Sequence, residues 1–167
     1  MKRIVIISIV LFSCVGCDQA TKQMARQSLD GLGTISFLKD TIRLQYAENP
    51  GAFLSLGANI PENLRLLAFT VLAGILLLGL LLYLLKTDQA NRPTIIALSL
   101  VLGGGIGNLI DRVFNEGRVI DFLNLGIGTL RTGVFNVADM AITLGAVWIL
   151  FLSFSRRHGD RDNPGTE

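Results

Sequence analysis

The sequence predicts an all-α membrane protein, with four transmembrane helices and a small β-rich cradle that two outer loops form on the periplasmic face. Three observations carry this prediction. Half of the 167 residues are hydrophobic and only 17% are charged, less charge than a soluble domain of this length carries. Apolar runs long enough to span a bilayer recur, a span needing roughly 20 mostly apolar residues. The two longest intervening segments carry turn signals and alternating apolar positions, the pattern of short strands.

Three spans are read directly, at 64–86, 94–112 and 134–155. The first run is less plain, because Ile4 to Cys17 alone has the length of a signal-peptide core. The apolar pattern continues through Ala20, Met24 and Ala25, with Asp18 and Lys22 as the strong interruptions. It is therefore read as a span over 4–25 with a polar outer turn.

Lysine and arginine placement sets the orientation. Lys2 and Arg3 precede the first span, Lys86 and Arg92 link the second and third, and Arg156, Arg157 and Arg161 follow the fourth. With four spans these groups share one side, so both termini are expected in the cytoplasm. The outward loops are then 27–63 and 113–133. The first holds Ile42-Arg43-Leu44-Gln45-Tyr46 and a turn at Asn49-Pro50-Gly51, and the second holds Val119-Ile120-Asp121-Phe122 among several glycines. Residues 1–158 are expected to form one membrane domain, and 159–167 a polar C-terminal tail.

Composition narrows the chemistry. The formal charge of +2 is small and scattered, which argues against nucleic acid as a partner. Cys14 and Cys17 are the two cysteines and His158 is the one histidine, so neither a zinc site nor a serine-histidine triad is assembled from the usual parts. No cofactor and no metal are expected. Carboxylates, amides, lysines and arginines remain.

Those residues gather at the outward helix ends. Asp18 and Lys22 end span one, Asn108, Asp111 and Arg112 end span three, and Asn136 and Asp139 begin span four, with Asn49 and Asp121 in the loops. Spacings of three or four residues put each set on one helix face. A charge inside a bilayer costs on the order of 2.5 to 3.5 kcal/mol and needs a partner or a watery cavity. Two aspartates without histidine or metal ligands point to an aspartic-protease arrangement, in which a close pair shares one proton. One activates water and the other protonates the scissile carbonyl. Composition does not choose among Asp18, Asp111, Asp121 and Asp139.

Five segments in order resemble the lipoprotein signal peptidase (signal peptidase II) family. They are Asp18-Gln19-Ala20-Thr21-Lys22, Asn49-Pro50-Gly51-Ala52-Phe53, Gly107-Asn108-Leu109-Ile110-Asp111-Arg112, Val119-Ile120-Asp121-Phe122 and Phe135-Asn136-Val137-Ala138-Asp139. The resemblance covers nearly the whole chain. It implies a catalytic pair of Asp121 and Asp139, a substrate site lined by Asn49, Gly51, Asn108, Arg112 and Asn136, and support from Asp18, Lys22 and Asp111. It also implies a monomeric enzyme of a bacterial inner membrane, active at the outer face among membrane lipid. Its substrates would be diacylglyceryl prolipoproteins, cut just before the lipidated lipobox cysteine. Met140 and the short glycine-rich stretch 123–132 depart slightly from the family pattern.

Other readings bear on single features. Asp18 and Lys22 also fit an exposed ion pair at a helix end, and Asn136 a helix N-cap. Gly103, Gly104, Gly105 and Gly107 lack the lysine of a phosphate loop and fit close helix packing. Cys14-Val15-Gly16-Cys17 approximates a lipobox, but Cys14 stands where such a motif has a leucine-like residue. A transport pathway would place polar residues along the full depth of the spans, whose inner halves lack them.

Overall fold

A computed structural model of the chain describes residues 2–51, 61–87 and 90–161. The first helix, α1 (Lys2–Leu29), passes through Asp18 and Lys22 without a break. The two charges are one turn apart and close on each other, so the helix keeps its ladder and buries the pair. At 1.5 Å per residue α1 is about 42 Å long, more than the roughly 30 Å of a bilayer core.

After α1 come β1 (Ile35–Phe37) and β2 (Ile42–Asn49). The second long helix is built in three pieces, α2 (Glu62–Leu66), a π-helical stretch (Leu67–Leu72) and α3 (Ala73–Lys86). Next comes α4 (Arg92–Phe114), where the Asn91 side chain accepts from the Thr94 N–H and a proline stands in the first turn. Asparagine at the cap and proline just inside it are favoured starts, because they satisfy or remove orphan N–H groups. β3 (Val119–Ile127), β4 (Leu130–Arg131) and α5 (Val137–Arg161) complete the order.

Four helical segments, Lys2–Leu29, Asn63–Lys86, Arg92–Phe114 and Val137–Ser155, are long and apolar enough to cross a membrane. α4 is the central one, packing on α1, α3 and α5. Its glycines allow the approach. A Cβ at Gly104 would collide with the Ala138 carbonyl oxygen, and one at Gly107 would sit 2.6 Å from Asp18 Oδ2. The outer helix surfaces are strongly apolar, with Phe12, Ile75, Leu76 and Phe151 all well exposed. Such surfaces are stable when lipid is the solvent.

The sheet is antiparallel throughout, in the order β1-β2-β3-β4. β2 and β3 pair Asn49 with Val119 and Ala47 with Asp121, with an irregularity between Leu44 and Ala47. Asn49 and Asp121 are therefore diagonal neighbours on one sheet face. Ala25 and Leu29 at the end of α1 bury Phe122 of β3, with Leu44, Tyr46, Leu123 and Val137 packed around them. This contact seats the sheet on the helices. A separate apolar cluster of Ile7, Leu84, Ile95 and Leu102 holds the opposite ends together.

Several boundaries differ from the expectations. α1 continues to Leu29 rather than ending near 25, because its last residues pack under the sheet. α5 begins at Val137 rather than 134, because Asn136 caps it, and the helix continues to Arg161 through the first residues of the expected tail. Both strands are longer than their motifs, β2 reaching Asn49 and β3 reaching Ile127. Ala52, Phe53 and residues 162–167 lie outside the described residues.

Candidate active site

The N-terminal end of α5 organises the site. Asn136 Oδ1 accepts from the Asp139 N–H at 2.9 Å, and the Asn136 N–H donates back to Asp139 Oδ2 at 3.3 Å. This reciprocal cap satisfies two groups at the helix start and fixes the Asp139 side chain. Asp139 thus stands in the first turn, nearer the helix end than its sequence position in the span implied. A carboxylate there is favoured by the helix dipole.

The same asparagine reaches the second carboxylate. Asn136 Nδ2 donates to Asp121 Oδ1 at 2.6 Å, and Asn49 Nδ2 donates to Asp121 Oδ2 at 2.9 Å. Asn108 Nδ2, from α4, donates to Asp139 Oδ1 at 2.9 Å. Every oxygen of the two aspartates accepts from an amide or a backbone N–H. Asp121, Asp139, Asn49, Asn108 and Asn136 are all buried. Burial pushes the Asp121 carboxyl up to about 7, against the opposing hydrogen bond from Asn49, and the Asp139 charge raises it further.

Arg112 closes one side. Its Nη2 donates to the Gly51 carbonyl at 2.9 Å and its Nη1 to the Asn108 carbonyl at 3.3 Å, and its guanidinium lies 5.9 Å from the Phe69 ring centroid. Arg112 Nε is buried without a hydrogen-bond partner among the described residues. The Gly51 N–H donates to Asn49 Oδ1 at 2.9 Å, an Asx turn that aims Asn49 at Asp121.

An ionic cluster adjoins these residues through Asn108. Lys22 Nζ is 2.8 Å from Asp18 Oδ2 and 3.0 Å from Asp111 Oδ2, and donates to Asn108 Oδ1 at 3.0 Å. Asp18 Oδ1 accepts from the Ala138 N–H, and Asp111 Oδ2 from the Ile120 N–H, both at 2.9 Å. Asp18 and Lys22 are thus enclosed, at 0% and 1% exposure, which excludes the exposed ion pair as their description. All ten residues singled out in the sequence meet in one connected cluster.

Two participants carried no assignment. Gln19 Nε2 donates to Asp111 Oδ1 at 2.9 Å and to the Gly107 carbonyl at 3.2 Å, tying α1 to α4; its place beside Asp18 was the available signal. Phe69 had none, since its position depends on the π-helical stretch. Two apolar grooves of about 470 and 580 Å³ begin at Asp139 and share the α5 ridge of Asp139, Thr143 and Val147. Phe135 and Leu144 help line the first, Phe69 and Leu77 the second. Among the described residues no group of three or more His, Cys, Asp or Glu is arranged to hold a metal ion.

Residues 10–155 match the model of the Peptidase_A8 family, signal peptidase (SPase) II. The chain belongs to the signal peptidase II family. A lipoprotein signal peptidase of Borrelia hermsii (strain HS1 / DAH) is 36% identical over 154 residues, covering 89% of each chain. That of Chlorobaculum tepidum is 37% identical over 153 residues, covering 84% of this chain and 91% of the relative. A bacterial membrane enzyme solved by the in meso method at 2.3 Å resolution superposes with a TM-score of 0.77 at 26% identity, covering 99% of this chain and 93% of that one. A second such enzyme, solved at 1.9 Å, superposes with a TM-score of 0.71 at 27% identity over 90% of this chain and 91% of that one. This signal peptidase II family member is therefore a bacterial multi-pass membrane protease that acts on lipoprotein signal peptides.

Proposed function

We propose that the enzyme is an aspartic endopeptidase in which Asp121 and Asp139 cleave the peptide bond just before the diacylglyceryl-modified lipobox cysteine of a prolipoprotein. The observation that carries this reading is the Asn136 side chain, which bonds to Asp121 and caps the helix turn holding Asp139. It holds both carboxylates in one buried cluster where two apolar grooves begin.

Asp121, whose carboxyl is raised to about 7, keeps the shared proton near neutral pH, and Asp139 takes a proton from the attacking water. Hydroxide adds to the scissile carbonyl carbon while Asp121 gives its proton to the carbonyl oxygen. The tetrahedral diol then collapses. Asp139 returns its proton to the departing amine, the C–N bond breaks, and Asp121 recovers its proton from the new carboxyl group. The buried, unpartnered Arg112 Nε and the Asn49 amide hold the substrate backbone. The acyl chains and the signal peptide lie along the grooves, so substrate enters sideways from the bilayer.

In the bilayer both termini face the cytoplasm and the aspartates the outer side, a reading supported by the placement of the basic residues. The enzyme works as a monomer, residues 1–158 forming one peptidase domain. Purified enzyme in detergent should cut a lipidated lipobox peptide on the N-terminal side of its cysteine and leave the unlipidated peptide nearly intact. Equal cleavage of both peptides would overturn the substrate class.

A further inference from the structure

Asp18, Lys22 and Asp111 line neither groove that begins at Asp139, yet Lys22 bonds to an amide that serves Asp139. A primary amide has one accepting and one donating end, and the two are interchangeable by a half-turn. Asn108 Oδ1 faces two donors, Lys22 Nζ at 3.0 Å and Asn136 Nδ2 at 3.1 Å. A lysine ammonium offers donors only. Turning Asn108 over would set its N–H groups against both donors and its oxygen against Asp139. The ammonium therefore commits the Asn108 N–H to Asp139 Oδ1.

We infer that Lys22 is a positioning residue for the peptidase reaction, which fixes the orientation of Asn108 so that Asp139 always receives a donated hydrogen bond and is held as the proton acceptor. The inference rests on the aspartate-pair reading above. Asp18 and Asp111 serve it by neutralising Lys22, and Asp18 also binds the Ala138 N–H one residue before Asp139. The charged groups around the relay are Asp18 and Lys22 on α1, Asp111 and Arg112 on α4, Asp121 on β3 and Asp139 on α5. Without Lys22, only the neutral Asn136 N–H opposes the turn, so Asn108 can reverse and accept a hydrogen bond from a protonated Asp139, which favours the protonated pair.

Removing Lys22 alone strands two buried carboxylates and endangers folding, so the test uses the charge-balanced pair Lys22→Met with Asp111→Asn, which keeps the cluster's net charge and leaves Asp18 bonded to the Ala138 N–H. This variant should fold, lose about 10- to 100-fold in kcat with little change in KM, and move both limbs of its pH–rate profile upward by about one unit. Lys22→Arg, which keeps a charged donor facing Asn108, should retain the wild-type limb positions. In an Asn108→Ala background the charge-balanced pair should add less than about a twofold further loss and no further shift, since both act through one amide. Unmoved limbs in the balanced pair, shifted limbs in Lys22→Arg, or additive losses in the cycle would each overturn the inference. Failure of the aspartate pair itself is read separately, as turnover retained by Asp121→Asn or Asp139→Asn.

Discussion

Asp40 and Asp121 belong to the same small sheet, and their environments drive their carboxyls in opposite directions. Asp40, at the β1–β2 turn, accepts from Arg43 Nε at 2.7 Å and Ser36 Oγ at 2.6 Å, with Arg131 also near. These donors hold its carboxyl well below the usual carboxylate range. Asp121 also accepts two hydrogen bonds, yet burial outweighs them and raises it to about 7. Asp40 meets charged donors in water, so it gives up its proton and stays ionised. Asp121 meets neutral amides away from water, beside a second carboxylate, so it holds its proton. Acidic residues with donors are common to both places, and dehydration next to like charge is what makes one of them suited to acid–base work.

Substitutions that break this contrast should differ in size. Asp121→Asn and Asp139→Asn each remove an acid or base while keeping the shape, and should lower turnover of a lipidated lipobox peptide about a thousandfold or more. Purified variants of wild-type melting temperature make that comparison clean. Asn136→Ala deletes the side chain that bonds to Asp121 and caps the turn holding Asp139. It should cost about 100-fold in kcat, with some loss of melting temperature. Arg112→Lys keeps the charge and loses the fork that reaches Gly51, and should weaken substrate binding about tenfold, seen mainly in KM.

The pH dependence of stability separates the two aspartates. Asp121 has a folded-state value of about 7 against an ordinary 3.8, so the native protein binds more protons between those values. Its stabilisation is complete below about pH 4 and is lost as pH rises through about 7. Asp40 is lowered instead, so its contribution is present above the ordinary value of 3.8 and lost on acidification. Between pH 5 and pH 7 the wild-type melting temperature should therefore fall more than that of Asp121→Asn, while Asp40→Asn should follow the wild-type slope. The smallest effect belongs to Asp40→Asn at neutral pH, which should leave turnover and melting temperature near wild-type values, as expected of a solvated ion pair.

Hydropathy made the four spans legible, and alternation placed β2 and β3, because each pattern reports one buried face. The candidate residues were legible as types at helical spacing, since a charge in an apolar run demands a partner. Their partners were not. Nothing local tells that Asp111 accepts from both Lys22 and the Ile120 N–H, or that Asp18 reaches the start of α5. Those bonds follow from how closely α4 glycines let α1 and α5 approach. Phe69 over Arg112 was hidden for another reason, because a π-helical stretch shifts the face that an α-helical period assigns.

Burial beside Asp139 turns Asp121 into a proton-holding group, unlike Asp40 on the same sheet. Carbon-13 NMR of aspartate carboxyls in detergent, assigned through Asp121→Asn and Asp40→Asn, measures both titrations in one sample. A midpoint near 7 is expected for Asp121 and one below the ordinary carboxylate range for Asp40. An Asp121 midpoint at the ordinary value of 3.8, with no proton retained at neutral pH, would contradict it.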